Sequence, residues 1–334
     1  MPKLLGVIAS IAFHRFKALR QTRIELQPFN LIIGPNGSGK TSLIESILTL
    51  RRLAALPLAG AESVQRGEGP EICFGFAAPH AGISATLGCA GEGQCDFLRV
   101  EPPGAPAWPV LRAGLATVRG YALEHEAMTR PCPAADGAEL AADGANLAAV
   151  LVQLREHSPA VYAALEAELL RLLPEFSALE AGPGLSGGLT FGLRLAEGGE
   201  LLGAEELSQG TLYVVALLAL AFDPDPPRIL CLEEVDRGVH PRMFREVRDV
   251  LYRLSYPPAE AGRAGVQVIA TTHSPYFIDL FRDHPEEVII SQKTGRAATL
   301  ERLADRPDLP ELLREGSLGE MWYSGILGGV PEER

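Results

Sequence analysis

The chain has 334 residues, of which 47% are hydrophobic and 22% charged, and its formal net charge is −12 at pH 7. This composition is typical of a globular protein with ample core, and the length allows two or three domains. The acidic balance excludes a uniformly basic surface for nucleic acid, although a local basic patch stays open.

The cysteines and the apolar runs add expectations about the compartment. Five cysteines are an odd number and form no CxxC pair, so neither a zinc knuckle nor a disulfide framework is predicted. No apolar run reaches the length of a membrane span, and no signal peptide is apparent. We therefore expect a cytoplasmic protein without a membrane partner and with reduced thiols at Cys73, Cys89, Cys95, Cys132 and Cys231.

The first predicted elements are strands at residues 4–13 and 24–27. They flank the most basic stretch of the chain, residues 14–23. We favour a solvated hairpin end for this stretch, and a small contact surface for DNA phosphates stays open as the alternative.

The sequence GPNGSGKT at residues 34–41 matches the phosphate-loop pattern G-x-x-x-x-G-K-[ST] at every fixed position. An apolar run at 31–33 precedes it and a helical pattern at 42–48 follows, which is the required strand–turn–helix context. The glycines let backbone N–H groups surround an anion, and the helix N-terminus adds positive partial charge. We predict that Lys40 reaches the β- and γ-phosphates and that Thr41 binds Mg²⁺. The predicted ATP-binding residues are Asn36, Gly37, Ser38, Gly39, Lys40, Thr41 and Ser42.

The middle of the chain predicts strands and then helices. Short strands at 71–76, 83–87 and 97–101 predict an antiparallel sheet beside the nucleotide core. Residues 139–173 show helical spacing that is broken at Ser158-Pro159, which predicts a helical insertion without a sustained coiled coil. The expected segments are an N-terminal part of the core at 1–70, a β-rich subdomain at 71–138, the helical insertion at 139–181 and a C-terminal part of the core at 182–334.

Three polar groups stand at the ends of apolar elements in the last third of the chain. Ser208 is placed to cap an apolar helix, and Gly210 leaves the backbone at the start of that helix accessible to an anion. Taken alone, a serine in this position more often caps a helix without binding an anion. The strand before Glu233 and Glu234 ends in two acids, which we expect to hold metal or move a proton. His273 also ends a strand, and we expect it to contact a γ-phosphate.

The motifs in this order resemble those of an ABC-type ATPase of the RecF/SMC/OLD branch, without a long coiled coil or a Toprim nuclease. The matching pieces are GPNGSGKT, LSQGT at 207–211, LEEVDRGVHP at 232–241 and TTHSPYF at 271–277, and SLGEMWYSGILGG at 317–329 resembles the tail of bacterial ATPases in this branch. The resemblance implies an α/β fold of the P-loop NTPase class. It would have an ABC-ATPase-like core, with a mixed sheet plus an antiparallel β subdomain, and a helical insertion.

The resemblance also implies roles for the acids and the histidine. Glu234 would deprotonate the attacking water, and His273 would sense the γ-phosphate. Glu233 would join Thr41 at Mg²⁺, although most relatives carry Asp at this position. Gln65 is the best-placed glutamine for a further Mg²⁺ contact.

In this branch the signature residues act on ATP that a second subunit holds. The residues concerned would be Ser208, Gln209 and Gly210, with Asp236 in the loop that spans the two sites. The resemblance therefore implies Mg²⁺-dependent ATP hydrolysis coupled to closure of a homodimer.

Two uses of ATP stay open. One is an action on DNA in repair or genome maintenance. The other is a regulatory ATPase of an antiphage defence or toxin system, which would control a partner nuclease encoded nearby.

Overall fold

The computed structural model describes residues 7–56, 69–91, 93–134, 139–184, 187–258 and 263–328. The chain divides into two compact units, of which the first comprises residues 1–120, 227–232 and 254–334. The second comprises residues 121–226 and 233–253.

The described strands form two sheets. In chain order they are β1 (Ile8–Phe16), β2 (Leu19–Glu25), β3 (Phe29–Ile33), β4 (Glu71–Phe76), β5 (Ser84–Gly91), β6 (Gln94–Glu101), β7 (Arg119–Tyr121), β8 (Phe176–Pro183), β9 (Leu189–Leu195), β10 (Leu201–Gly203), β11 (Ile229–Leu232), β12 (Gln267–Thr272), β13 (Val288–Thr294) and β14 (Ala297–Arg302). The larger sheet has the order β6-β5-β4-β1-β2-β14-β13-β3-β12-β11-β7, and the smaller one has the order β10-β9-β8.

The described α-helices lie between these strands in the chain or follow the last of them. They are α1 (Lys40–Ala55), α2 (Trp108–Ala116), α3 (His125–Thr129), α4 (Leu147–His157), α5 (Pro159–Leu172), α6 (Gln209–Ala221), α7 (Phe244–Ser255), α8 (Pro275–Ile278), α9 (Leu309–Glu315) and α10 (Leu318–Tyr323). No helix among the described ranges combines the length and the apolar character that a membrane crossing needs.

The centre of the large sheet brings the carboxyl ends of several strands to one edge. Strands β11, β12 and β13 run parallel to their neighbours in the series β11-β12-β3-β13. Ile33 pairs with Thr272 on one side and with Ile290 on the other, and Leu232 pairs with Ala270. All residues of β3, β11 and β12 are buried, as expected for parallel strands covered on both faces. Ligands bind at this edge in open α/β sheets.

The predicted antiparallel strands extend the same sheet. Strands β4, β5 and β6 pair antiparallel in series, and β4 pairs with β1. The buried face of α1, with Leu43, Ile47 and Leu50, packs into an apolar cluster that includes Phe13 and Phe74. A mixed sheet with an antiparallel part confirms the predicted fold class.

The second unit contains the small sheet and an apolar helix. Every residue of α6 from Leu212 to Leu220 is buried, so the helix is surrounded by other elements instead of presenting one polar face to solvent. The predicted break in the helical insertion is confirmed, because α4 ends at His157 and α5 begins at Pro159. The predicted segment 139–181 also includes the first part of β8.

The prediction of five thiols is wrong for two of the cysteines. Cys89 and Cys95 are register partners in the hairpin of β5 and β6, and a disulfide joins them. Cys73, Cys132 and Cys231 are thiols. The spacing of the cysteines did not reveal the pair, because strand register placed the two side chains opposite each other.

Candidate nucleotide-binding site

The phosphate loop leaves β3 in a conformation that glycine permits. Gly37 has φ +72° and Gly39 has φ +102°, both in the left-handed region. A Cβ on Gly34 would lie 2.4 Å from the carbonyl oxygen of Ser291, and one on Gly39 would lie 2.9 Å from Leu19. The loop therefore packs against β13 and β2 with no space for larger residues at these points.

Lys40 is held inside this loop. It is the first residue of α1 and is only 7% exposed. Its Nζ donates to the carbonyl oxygens of Gly34 at 2.7 Å and Pro35 at 3.0 Å. The ammonium group is therefore held within the loop by two carbonyl oxygens. It lies at the N-terminus of α1, where the helix macrodipole favours the binding of an anion.

Ser38 has one polar group bonded within the loop and one that is unsatisfied among the described residues. Its backbone carbonyl accepts a hydrogen bond from Ser291 Oγ at 2.6 Å. Its own Oγ is buried and has no hydrogen-bond partner among the described residues. A buried hydroxyl of this kind requires an explanation, and a ligand oxygen in the loop would supply one. Asn36, Gly37 and Thr41 are exposed beside it.

His273 follows β12 at the level where Gly34 follows β3, because Thr272 and Ile33 are register partners. The turn around His273 is fixed on both sides. Thr272 Oγ1 accepts from the Ser274 N–H at 3.0 Å, and Ser274 Oγ caps α8 by accepting from Phe277 N–H at 3.2 Å. In the first unit the structure thus places His273 on the strand next to the one that carries the phosphate loop.

The two acids predicted after β11 belong to the second unit. Glu233 and Glu234 are partly exposed. Glu234 has φ +51°, which is unusual for a residue with a side chain and marks a strained turn. Its Oε2 lies 3.7 Å from Nε of Arg237, whose backbone N–H donates to the Glu234 carbonyl oxygen at 2.9 Å.

A metal site made of protein side chains alone is not found in the described part of the chain, which contains no group of three or more His, Cys, Asp or Glu residues with suitable placement. Gln65, the predicted third contact, lies outside the described residues.

The signature segment begins α6 as the sequence indicated. Ser208 is the N-cap, and its Oγ accepts from the Thr211 N–H at 3.1 Å. A Cβ on Gly210 would lie 2.6 Å from the carbonyl oxygen of Gly238, and one on Gly238 would lie 2.5 Å from Cγ of Gln209. The start of α6 therefore lies directly against the turn that follows Glu234.

Tyr213 is a residue of this region that sequence reasoning missed. It is fully buried in α6, and its hydroxyl has no hydrogen-bond partner within the described ranges. Burial raises the pKa of its phenol above the usual value, and the negative charges of Asp236 and Glu234 raise it further. Nothing in an otherwise apolar helical run distinguishes this tyrosine from an ordinary core residue.

Comparisons with known proteins identify the fold. Residues 133–279 match a family model described as "AAA domain, putative AbiEii toxin, Type IV TA system", and residues 10–50 match a model described as "AAA domain". An SMC head bound to the C-winged helix domain of ScpA is similar in structure, with a TM-score of 0.57, 13% identity and coverage of 89% of this chain and 97% of that chain. The fold is that of an ABC/SMC-type P-loop ATPase.

Two further SMC heads share this ABC/SMC-type fold. One, derived from Pyrococcus furiosus and bound to the C-terminal domain of ScpA, has a TM-score of 0.58 and 14% identity, and the match covers 92% of this chain and 99% of that chain. The other, from Thermotoga maritima, has a TM-score of 0.51 and 15% identity, with coverage of 89% and 98%. No curated protein sequence matches the chain.

The two family matches divide the motifs of the ABC/SMC-type fold between them. The match at 10–50 contains the phosphate loop, and the match at 133–279 contains the signature, both acids and His273. The resemblance inferred from the motifs is therefore confirmed at the level of the fold.

Proposed function

We propose that the chain binds ATP with Mg²⁺ and hydrolyses it, and that ATP binding closes a homodimer which hydrolysis opens. The observation that carries this proposal is the phosphate loop. Lys40 is held at a helix N-terminus, two glycines adopt left-handed conformations, and Ser38 presents a buried hydroxyl. These features suit a triphosphate better than a plain structural turn.

The residues have distinct tasks in this proposal. Lys40 and the amides of the loop hold the β- and γ-phosphates, and His273 contacts the γ-phosphate. Glu234 orients the attacking water and takes its proton. Mg²⁺ would neutralise charge on the phosphates, and Thr41 and Glu233 are the residues proposed to contact it, with Gln65 as a further prediction.

The signature residues complete the site from a second copy. Ser208 is exposed, and α6 is long enough for its macrodipole to favour an anion at this end. We propose that Ser208, Gln209 and Gly210 contact ATP held by the partner subunit. Asp236 would lie in the loop between the two ATP molecules of the dimer.

Phosphate release and molecular mass in solution test the proposal together. The wild-type chain should release phosphate from Mg-ATP. Glu234→Gln should keep ATP binding, lose turnover and remain a dimer in ATP, because the carboxylate that accepts the proton is gone. Normal phosphate release by Glu234→Gln would refute the role of Glu234. A chain that stays monomeric with bound ATP in this variant would refute dimer closure.

DNA is the first candidate for what ATP hydrolysis acts on. The basic stretch forms the hairpin of β1 and β2. Two of its cations face carboxylates, since Lys17 pairs with Glu45 and Arg23 lies 3.8 Å from Glu25. This pairing lowers the positive charge that the hairpin offers to DNA phosphates. ATP-dependent retention of DNA that weakens with salt would support the candidate, and the same protein without any DNA retention would exclude it.

A toxin or defence system is the second candidate. The observation that favours it is the match of residues 133–279 to the family described with the AbiEii toxin of a Type IV system. In this case the chain would regulate a partner effector nuclease. Nuclease activity that appears only when the chain, ATP and the product of a neighbouring gene are combined would support this candidate over DNA repair.

A further inference from the structure

The C-terminal motif SLGEMWYSGILGG has no task in the proposed chemistry, yet its helix α10 packs against the segment that follows His273. Gly319 in α10 touches α8 so closely that a Cβ on it would lie 2.3 Å from the carbonyl oxygen of Pro275. Real Cβ atoms do not approach a backbone oxygen this closely, so only glycine fits. The contact lies two residues after His273.

Asp279 joins the same two segments by a hydrogen bond. Its Oδ1 accepts from the backbone N–H of Gly319 at 2.7 Å, and its Oδ2 would lie 2.9 Å from a Cβ on that glycine. Arg282 adds contacts to the chain before α10, since it donates to the carbonyl oxygens of Leu313 and, at 2.8 Å, Gly316. The segment from Pro275 to Arg282 is therefore attached to the C-terminal helices at several points.

The start and the inner face of α10 are themselves fixed. Ser317 and Glu320 form a capping box, in which Ser317 Oγ accepts from the Glu320 N–H at 3.2 Å and Glu320 Oε2 accepts from the Ser317 N–H at 3.1 Å. Leu318, Met321 and Trp322 are buried. Because α10 is anchored in this way, it cannot easily shift to accommodate a larger side chain at Gly319. We therefore expect such a side chain to displace the segment at Pro275.

We propose that Gly319 is a positioning residue for His273. The close packing of α10 sets the place of the Pro275 peptide, and only Ser274 separates that peptide from His273. The position of the imidazole at the phosphate edge of the sheet therefore depends on the C-terminal helix. This inference rests on the proposed function, in which His273 contacts the γ-phosphate.

Gly319→Ala tests the proposal. Turnover of Mg-ATP should fall about ten-fold or more, because a small misplacement of a phosphate-contacting group is enough for this loss. The KM for ATP should change less than about two-fold, since the phosphate loop that provides binding is intact. Tyr323→Ala is the matched control on the same helix, because Tyr323 is 81% exposed, and it should behave as wild type.

A double-mutant cycle separates positioning from general damage. In a His273→Ala background, Gly319→Ala should cause no further loss of turnover under single-turnover conditions, because the side chain through which it acts is absent. An equal loss in both backgrounds would overturn the proposal. Asp279→Ala, which removes the acceptor without adding bulk, serves as the second variant if Gly319→Ala does not fold, and it should give the same pattern.

The His273 imidazole signal in proton–carbon NMR provides a readout without turnover. It should shift in Gly319→Ala and stay unchanged in Tyr323→Ala. An unshifted signal in Gly319→Ala would overturn the inference even if the protein were inactive. Failure of the proposed function would give a different result from failure of this inference. In that case either His273→Ala would hydrolyse ATP as fast as wild type, or the wild-type chain would not hydrolyse ATP.

Discussion

Gly210 and Gly238 meet with no room for a side chain between them. A Cβ on Gly210 would lie 2.6 Å from the Gly238 carbonyl oxygen. This contact joins the start of the signature helix to the turn that carries Glu234 and Asp236. Within the second unit, the turn that follows the proposed base thus packs against the start of the helix that carries the proposed trans signature.

Gly238→Ala should destabilise the second unit by about 2 kcal/mol. The residue has φ +71°, which strains an L side chain, and its Cβ would meet the side chain of Gln209. Gly198→Ala is the control for strain alone, because Gly198 has φ +77° and nothing within 4 Å of the added Cβ. Urea denaturation should show the larger loss for Gly238→Ala. Adding Gln209→Ala to Gly238→Ala should restore the stability that Gly238→Ala loses beyond the loss in Gly198→Ala. If the double variant is no more stable than Gly238→Ala, the contact with Gln209 is not the cause.

At position 234, the glycine variant should be more stable than the alanine variant, which is the reverse of the usual order. At an ordinary position alanine is more stable than glycine by about 0.4–1 kcal/mol, since glycine loses more chain entropy. Because Glu234 has φ +51°, we expect Glu234→Gly to be more stable than Glu234→Ala by about 1 kcal/mol. Both variants remove the contact with Arg237, so the comparison reports backbone strain alone. Thermal unfolding measures it, and the ordinary order would show that the turn is unstrained.

Lys40→Ala should weaken ATP binding by about 10- to 100-fold, the loss expected for a charged hydrogen bond to phosphate. Titration with a fluorescent ATP analogue measures the affinity. Arg314→Ala is the control, because it removes an exposed cation on α9 and should leave the affinity unchanged. Equal affinity of Lys40→Ala and wild type would mean that nucleotide binds elsewhere.

Glu168 should make the stability of the second unit depend on pH. Its Oε2 accepts from Arg171 Nε at 2.9 Å, and its Oε1 accepts from Arg253 at 2.8 Å, which ties α5 to α7. The hydrogen bond from Arg171 is the main reason that the pKa of Glu168 lies below its ordinary value of 4.5, and Arg253 lowers it further. A lowered pKa means that the folded state binds fewer protons. The stabilisation is therefore complete above the unfolded-state pKa and is lost as pH falls through the folded-state pKa.

Glu168→Gln should accordingly cost about 1 kcal/mol at neutral pH, a value discounted because both arginines are half exposed. The difference from wild type should shrink as the pH falls below 4.5. Denaturant titrations at several pH values measure it. Glu197→Gln, at an exposed position, should show no such trend. A difference that is independent of pH would assign the loss to packing instead of charge.

Local sequence was enough for several elements of the site. The phosphate loop could be predicted because strand, glycine turn and helix are neighbours in the chain. The capping by Ser208 and the break at Ser158-Pro159 could be predicted for the same reason, since each depends on backbone geometry within a few residues. The apolar runs before Glu233 and His273 also identified buried strands.

Other features required the tertiary structure. The disulfide of Cys89 and Cys95 depends on strand register, and the buried hydroxyl of Tyr213 depends on what surrounds α6. The contact of Gly319 with Pro275 joins residues that are far apart in the chain. The sequence by itself determined the phosphate-loop elements, the cap of α6 and the buried strands before Glu233 and His273, because short-range sterics and hydrogen bonding decide these. Only the tertiary structure decided which distant backbones touch, because close packing depends on the shapes of both partners at once.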